Sequence, residues 1–372
     1  MRRLKKILLW AIIVLVVINV LIVATDNVYL YKTFYYQTAG IDDYQIFDNR
    51  TVSAGTFVPI SDASGYNKTK LSEDFRSLLE RYHSIAFLIL KNDSVAYEEY
   101  WDGYNADSYS NSFSITKSIV SILTGIAIDE QKIKNIDQKV SDFIPEYKEG
   151  LNAMLTVRHL LTMSAGFDFS ESYSNPFSLT ARIYYGNDLD DVVKKIKVTQ
   201  KPGVIFNYQS ISTLVLAFVL RKATGMTLAK YASEKLWKPL GAKHDALWSL
   251  DNNNGVEKAY CCFNSNALDF SRIGLLYLHK GMFHDKQIIS EEWVNESVQS
   301  APLLDENGYP NDCYGYSWWF LNCKGEKVFY AKGILGQYII VIPSKNIVAV
   351  RLGEKKHPGM VNEICEYVFE NY

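Results

Sequence analysis

Hydrophobic and polar positions along this chain fall into distinct regimes. From Ile7 to Ala24 the run ILLWAIIVLVVINVLIVA contains one polar residue, Asn19. Its eighteen residues, at a rise of ~1.5 Å each, reach about 27 Å, enough to cross a hydrocarbon core with little tilt. Residues 25–70 show Gly, Ser, Thr and Asp clusters without a sustained period and read as a stalk and irregular wrap. From Leu71 the segment LSEDFRSLLERYH puts Leu71, Phe75, Leu78, Leu79 and Tyr82 on one helical face. Two strands follow, Ser84 to Leu90 and Ser94 to Trp101, joined by a turn at Asn92-Asp93. Ser114 to Ile128 is an apolar helix, too short and too interrupted to span a membrane, so it belongs inside a folded domain.

Residues from about 129 to 300 read as helical patches broken by turns at Pro145, Gly166, Pro202-Gly203, Gly225 and Pro239. Strands return at Gly315 to Leu321, Lys327 to Ala331, Gln337 to Ile342 and Ile347 to Leu352, and Pro358 to Tyr372 reads as a closing helix. Strands at both chain ends with helices between them predict an α/β (α+β) domain over 71–372. One antiparallel sheet is built from 71–110 and 310–372 and flanked by the terminal helices, with an all-helical part beside it. A transmembrane helix over 7–24 precedes the domain.

The chain has 372 residues and a formal charge of −2. That balance argues against nucleic acid as a partner, because such binders carry a basic patch. The four positive charges of MRRLKK before the apolar run, and Asp26 after it, orient residues 1–6 toward the cytoplasm and the rest outside. A signal peptide is the rival reading, but Ile22-Val23-Ala24 makes a poor cleavage site, so a retained anchor is preferred. Five cysteines include no CxxC pair, and neither a metal cluster nor a glycine-rich phosphate loop is visible, so no metal and no cofactor is expected. Cys313 and Cys323 flank the stretch Tyr314 to Leu321 and are candidates for a bridge in an exported domain.

Three segments carry candidate chemistry. In SFSITKS, Ser114 and Lys117 lie three apart, on one face of a helix. A serine hydroxyl needs a base to become a nucleophile, and a lysine with a depressed pKa can be that base. The bland alternative is Ser114 as a helix cap and Lys117 in solvent. In PGVIFNYQS, a turn delivers Tyr208 and Ser210 ahead of the apolar helix Ile211 to Leu220. A phenol beside an ammonium can be held as phenolate or can shuttle a proton, or Tyr208 can simply be packed. In AKGILGQ, Gly333 and Gly336 would let a strand edge approach a ligand. A backbone N–H there, with that of Ser114, could form an oxyanion hole; a plain turn or bulge is the alternative. His159 reads as structural, Trp318 and Trp319 as core and cleft wall, and Asp269 with Arg272 as a structural pair.

Taken in this order, the three segments resemble the serine β-lactamase and penicillin-binding-protein superfamily in its class C and esterase branch. The chain is similar to the family VIII-type carboxylesterases and the 6-aminohexanoate-dimer hydrolases. Supporting stretches are SFSITKSIVSILTGIAI, TVRHLLTMSAGFDF, KPGVIFNYQSISTLVLAFVLRKATGMTLAKYASEKLWKPLGA, NALDFSRIGLLYLHKGMF, YGYSWWF and GQYIIVIP. The resemblance implies a sheet domain and a helical domain with the site in the cleft between them. It implies Ser114 as the acylated serine, Lys117 as general base and Tyr208 as proton relay. It also implies an oxyanion hole from the Ser114 and Ile334 N–H groups.

Two departures shape the expected activity. The second motif ends in Ser210 where class C enzymes carry Asn, which offers one hydroxyl in place of an amide. The third motif has Ala331 where Lys or His opens the family pattern. Lys332 is one residue off and, by strand alternation, faces away from the cleft. A charge suited to a penicillin or peptide carboxylate is thus absent, so an esterase or amidase acting on a small-molecule ester or amide is expected over a β-lactamase. The rivals are a D-amino-acid peptidase or β-lactamase, and a penicillin-binding sensor that acylates without turning over.

Overall fold

Long strands buried on both faces lack polar alternation, and SIAFLILK is such a run. In the computed structural model, which describes residues 2–372, it forms the strand Ser84–Lys91. This strand pairs antiparallel with Ser94–Tyr100 on one side and with Ile347–Gly353 on the other. The sheet continues through Gln337–Ile342, Glu326–Gly333 and Trp319–Cys323, six antiparallel strands joining the two ends of the domain as expected. Alternate side chains serve opposite layers. Phe87, Ile89, Tyr338 and Ile340 pack under the helices Glu73–Arg81 and Met360–Asn371, where Phe75 and Tyr367 stack at 3.9 Å. Leu88, Leu90, Ile339 and Val348 face the Ala267–Leu278 helix and the helical layer.

That layer centres on Ile115–Asp129 and Ser210–Thr224, both buried on nearly all sides, which explains their unbroken apolar composition. Gly225, in the left-handed conformation, terminates the second of them.

The middle of the chain is less purely helical than its pattern suggested. A second sheet of four short strands runs in the order Asn49–Val52, Ala246–Ser249, Phe263–Ser265, Ser110–Asn111. Strands of two to four residues are too short to leave a period-two signal. The segment 25–70 is likewise more structured than a stalk. It holds the helix Tyr29–Tyr36 and the first strand of this second sheet, and Arg50 pairs with buried Glu257 at 2.7 Å.

The cysteine expectation also changes. Cys313 and Cys323 are unbridged, as is Cys365, and the disulfide joins the neighbours Cys261 and Cys262. Asp269 and Arg272 do form a buried pair at 3.0 Å, and Arg272 also donates to the carbonyls of Leu240 and Val58. His159 accepts the Thr156 N–H in a helix-capping box. Trp318 is buried in the core.

Candidate active site

The site is assembled at the N-terminus of the Ile115–Asp129 helix. Phe113 holds a positive φ of 47°, unusual for an aromatic residue, and its N–H donates to Asn111 Oδ1 at 2.9 Å. The same oxygen accepts the Cys262 N–H at 3.1 Å, which ties the turn before Ser114 to the disulfide loop. Ser114 starts the helix without spending its hydroxyl on a cap, leaving Oγ available.

Lys117, one turn on, is fully buried, and its Nζ donates to Ser114 Oγ at 2.9 Å and to the Tyr260 carbonyl at 2.8 Å. Among the described residues no carboxylate touches the amine, and two aromatic rings lie beside it. Nζ lies 5.2 Å from the Tyr208 ring centroid and 5.7 Å from that of Tyr260. Burial pushes its pKa down to about 8, partly opposed by the more distant Glu171. A neutral amine there can keep one N–H on the Tyr260 carbonyl and turn its lone pair to the serine proton.

Tyr208 completes the convergence. Its hydroxyl lies near the Ser114 side chain, and its ring packs against Tyr314 at 5.9 Å and Trp319 at 5.4 Å. Burial raises its pKa above the ordinary phenol value, opposed by the Ser114 side chain. Burial thus favours the protonated phenol over the phenolate.

Ser210 lies at the first turn of its helix, where both its N–H and its hydroxyl donate to Glu171, at 2.8 and 2.7 Å. Glu171, which also accepts from Tyr173 at 2.7 Å, is absent from the sequence reading. A lone Glu in a loop carries no spacing signal, and its partners are 2 and 39 residues away. Tyr260 was missed for the same reason; its buried hydroxyl has no partner among the described residues.

Ser114, Ser210, Tyr260 and Ile334 line one cavity of about 910 Å³. Gly333 and Gly336 do not line it; they serve packing. A side chain at 333 would meet the Ser112 carbonyl at 2.4 Å, so glycine lets the strand end lie against the turn before Ser114. Gly336 has a φ of 89°, and a Cβ there would strike the Arg351 guanidinium. Lys332 is not on the cavity wall either. It shares its strand face with Val328 and Tyr330, whose core lies under the terminal helices, and its Nζ sits 5.0 Å from the Trp319 ring centroid.

Residues 71–368 match the family described as Beta-lactamase, most of the chain. The chain belongs to the beta-lactamase family. Within it, the chain is 28% identical over 304 residues to the 6-aminohexanoate-dimer hydrolase of Paenarthrobacter ureafaciens, covering 77% of this chain and 76% of that one. A solved structure from Bacillus anthracis, provisionally named as a 6-aminohexanoate-dimer hydrolase, superposes with a TM-score of 0.76 at 22% identity, covering 89% of this chain and 91% of the other. A family VIII carboxylesterase superposes with a TM-score of 0.65 at 16% identity, covering 84% of this chain and 99% of its own. These two structural likenesses bear on the fold. Family and fold together make this beta-lactamase-family chain a serine hydrolase of the β-lactamase and penicillin-binding type.

Proposed function

We propose that the chain cleaves an ester or amide through an acyl-enzyme on Ser114, and that residues 7–24 hold it in a membrane with the catalytic domain outside. The observation that carries the chemistry is the 2.9 Å contact between Ser114 Oγ and a buried Lys117 amine whose pKa is lowered to about 8.

In the first step Ser114 Oγ bonds to the substrate carbonyl carbon while its proton passes to neutral Lys117. The carbonyl oxygen takes the negative charge facing the N–H groups of Ser114 and Ile334, two residues of the cavity wall. Collapse breaks the bond to the leaving alcohol or amine, which takes a proton from Tyr208; the phenol is refilled from Lys117. Water then attacks the acyl carbon, with Lys117 and Tyr208 removing its proton, and Ser114 is restored. The cavity wall carries Arg81, Lys355 and Lys356, but Ala331 and Lys332 place no cation there at the third motif, which supports substrates without a carboxylate beside the scissile bond. That preference separates an esterase or amidase from a β-lactamase or D-amino-acid peptidase.

The anchor reading is supported by the helix Arg2–Ala24, which has a mean hydropathy of 3.2 in its most apolar stretch and leaves its side chains exposed except for Ile22, which is half-buried. Recovery of the N-terminal peptide from the membrane-extracted protein supports it; a mature chain beginning after Ala24 rejects it.

The decisive experiment is intact-protein mass after a fluorophosphonate, alongside turnover of short-chain p-nitrophenyl esters, D-Ala peptides and nitrocefin. Wild type should gain one adduct and turn over the esters, and Ser114→Ala should do neither. Full ester turnover by Ser114→Ala would sink the assignment. A lasting nitrocefin adduct without ester turnover would favour the sensor.

A further inference from the structure

The apolar N-terminal helix touches the domain at its last turn. Ile22, in its last turn, packs on the main core. Asp26 pairs with Arg182 at 3.5 Å, and Tyr31 reaches back to donate to Asn19 Oδ1 at 2.7 Å. After the short break Thr25 to Val28, the helix Tyr29–Tyr36 turns its two sides to different tasks. Tyr29, Leu30 and Thr33 are buried on the domain, whereas Phe34 and Tyr35 are 56% and 80% exposed. Phe177, 66% exposed on the loop after Glu171, meets Phe34 edge to face at 6.0 Å. Aromatic side chains just beyond an apolar span are placed where a membrane meets water.

Thr33, Phe34, Gln37 and Thr38 line the same cavity as Ser114. The cavity wall begins at Thr33, nine residues after the end of the apolar helix.

We infer that the cavity opens onto the outer membrane surface past Phe34 and Phe177, and that its substrate is an amphipathic ester or amide whose acyl chain lies in the bilayer. This deepens the proposed function and rests on its acyl transfer and its retained anchor. The occupant of the aromatic lip is the lipid leaflet itself. The apolar helix delivers it there, and the exposed rings would otherwise present a continuous apolar edge to water. Only the substrate's scissile bond must then leave the bilayer to reach Ser114.

The test uses the full chain reconstituted in phosphatidylcholine vesicles, with p-nitrophenyl acetate from solution and p-nitrophenyl palmitate dissolved in the vesicles. Wild type should process the vesicle-borne palmitate efficiently. Tyr35→Glu combined with Phe177→Glu changes the lip outside the cavity wall. It should cut palmitate turnover at least about tenfold and leave acetate turnover within about twofold. Equal effects on the two esters, or no palmitate turnover by a wild type active on acetate, overturn the inference. A second measurement does not depend on catalysis: Phe177→Trp should add fluorescence that brominated phosphatidylcholine quenches beyond the wild-type signal. No added quenching overturns the membrane placement. A wild type that hydrolyses neither ester and matches Ser114→Ala instead overturns the acyl-transfer reading, with the quenching still deciding where the lip lies.

Discussion

Two lysines in this protein are buried completely and share a chemical setting, yet they stand in different relations to the cavity. Among the described residues Lys117 and Lys258 each lack a carboxylate partner; each donates to backbone carbonyls and lies against an aromatic ring. Lys258 reaches the carbonyls of Ile183 and Gly186 at 3.3 and 3.4 Å and lies 4.8 Å from the Phe47 centroid. Burial drives its pKa down to about 7, further than the value of about 8 at Lys117. On titration alone Lys258 would be the better base near neutral pH. What separates them is one contact: Lys117 has the Ser114 hydroxyl within hydrogen-bonding reach, and Lys258 has only carbonyls, which carry no proton to give. A lowered lysine pKa measures burial; a role in proton transfer needs a neighbour whose proton can move.

Breaking that comparison begins with the pair of removals. Lys117→Ala should lower kcat for p-nitrophenyl acetate by about a thousandfold, within the range of general-base contributions, while Lys258→Met should keep kcat near wild type. Equal losses would place the two lysines in one network and undo the distinction. Tyr208→Phe removes the hydroxyl near Ser114 and leaves the ring packing. It should cost about a hundredfold in kcat, with little change in thermal midpoint.

The pH profile sharpens the contrast. The active form of Lys117 is the neutral amine, so acylation should rise about tenfold per pH unit below pH 8 and flatten above it. Lys258→Met should not move that inflection. Lys258 should instead show itself in stability. Its folded pKa of about 7 lies below the unfolded lysine value of about 10.4, so across that window the unfolded chain binds more protons than the folded one. Stability therefore rises with pH through the window. Denaturant titrations of Lys258→Met from pH 7 to 10 should show a shallower rise than wild type. The smallest effect is expected from Glu171→Gln. Glu171 raises the Lys117 pKa, so its loss should move the acylation inflection toward acid; a shift toward alkali would mean that its bonds to Ser210 and Tyr173 matter more than its charge.

How much of this was legible before folding depends on sequence distance. Ser114 and Lys117 could be paired because three residues of helix fix their relative position whatever surrounds them. The long strands and the helices Ile115–Asp129 and Ser210–Thr224 were legible because each buries enough side chains to leave a pattern. Lys332 could be turned away from the cleft by strand alternation alone, and its core neighbours Val328 and Tyr330 agree. The strands of two to four residues in the second sheet could not be seen, since their partners come from segments far apart in the chain. Gly333 and Gly336 were visible as glycines, but a glycine does not reveal what approaches it; here that is the Ser112 carbonyl and the Arg351 guanidinium.

By itself the sequence determined the apolar span, the strand and helix segments of the domain, and the serine and lysine on one helical turn. These follow from local geometry and from the periodicity of burial. Only the tertiary structure decided that Tyr208 meets Ser114, that Glu171 is held by Ser210, that Cys261 and Cys262 are bridged beside the site, and that the helix after the apolar span walls the cavity. Each of those depends on how distant segments pack, and packing leaves no mark at a single position of the chain.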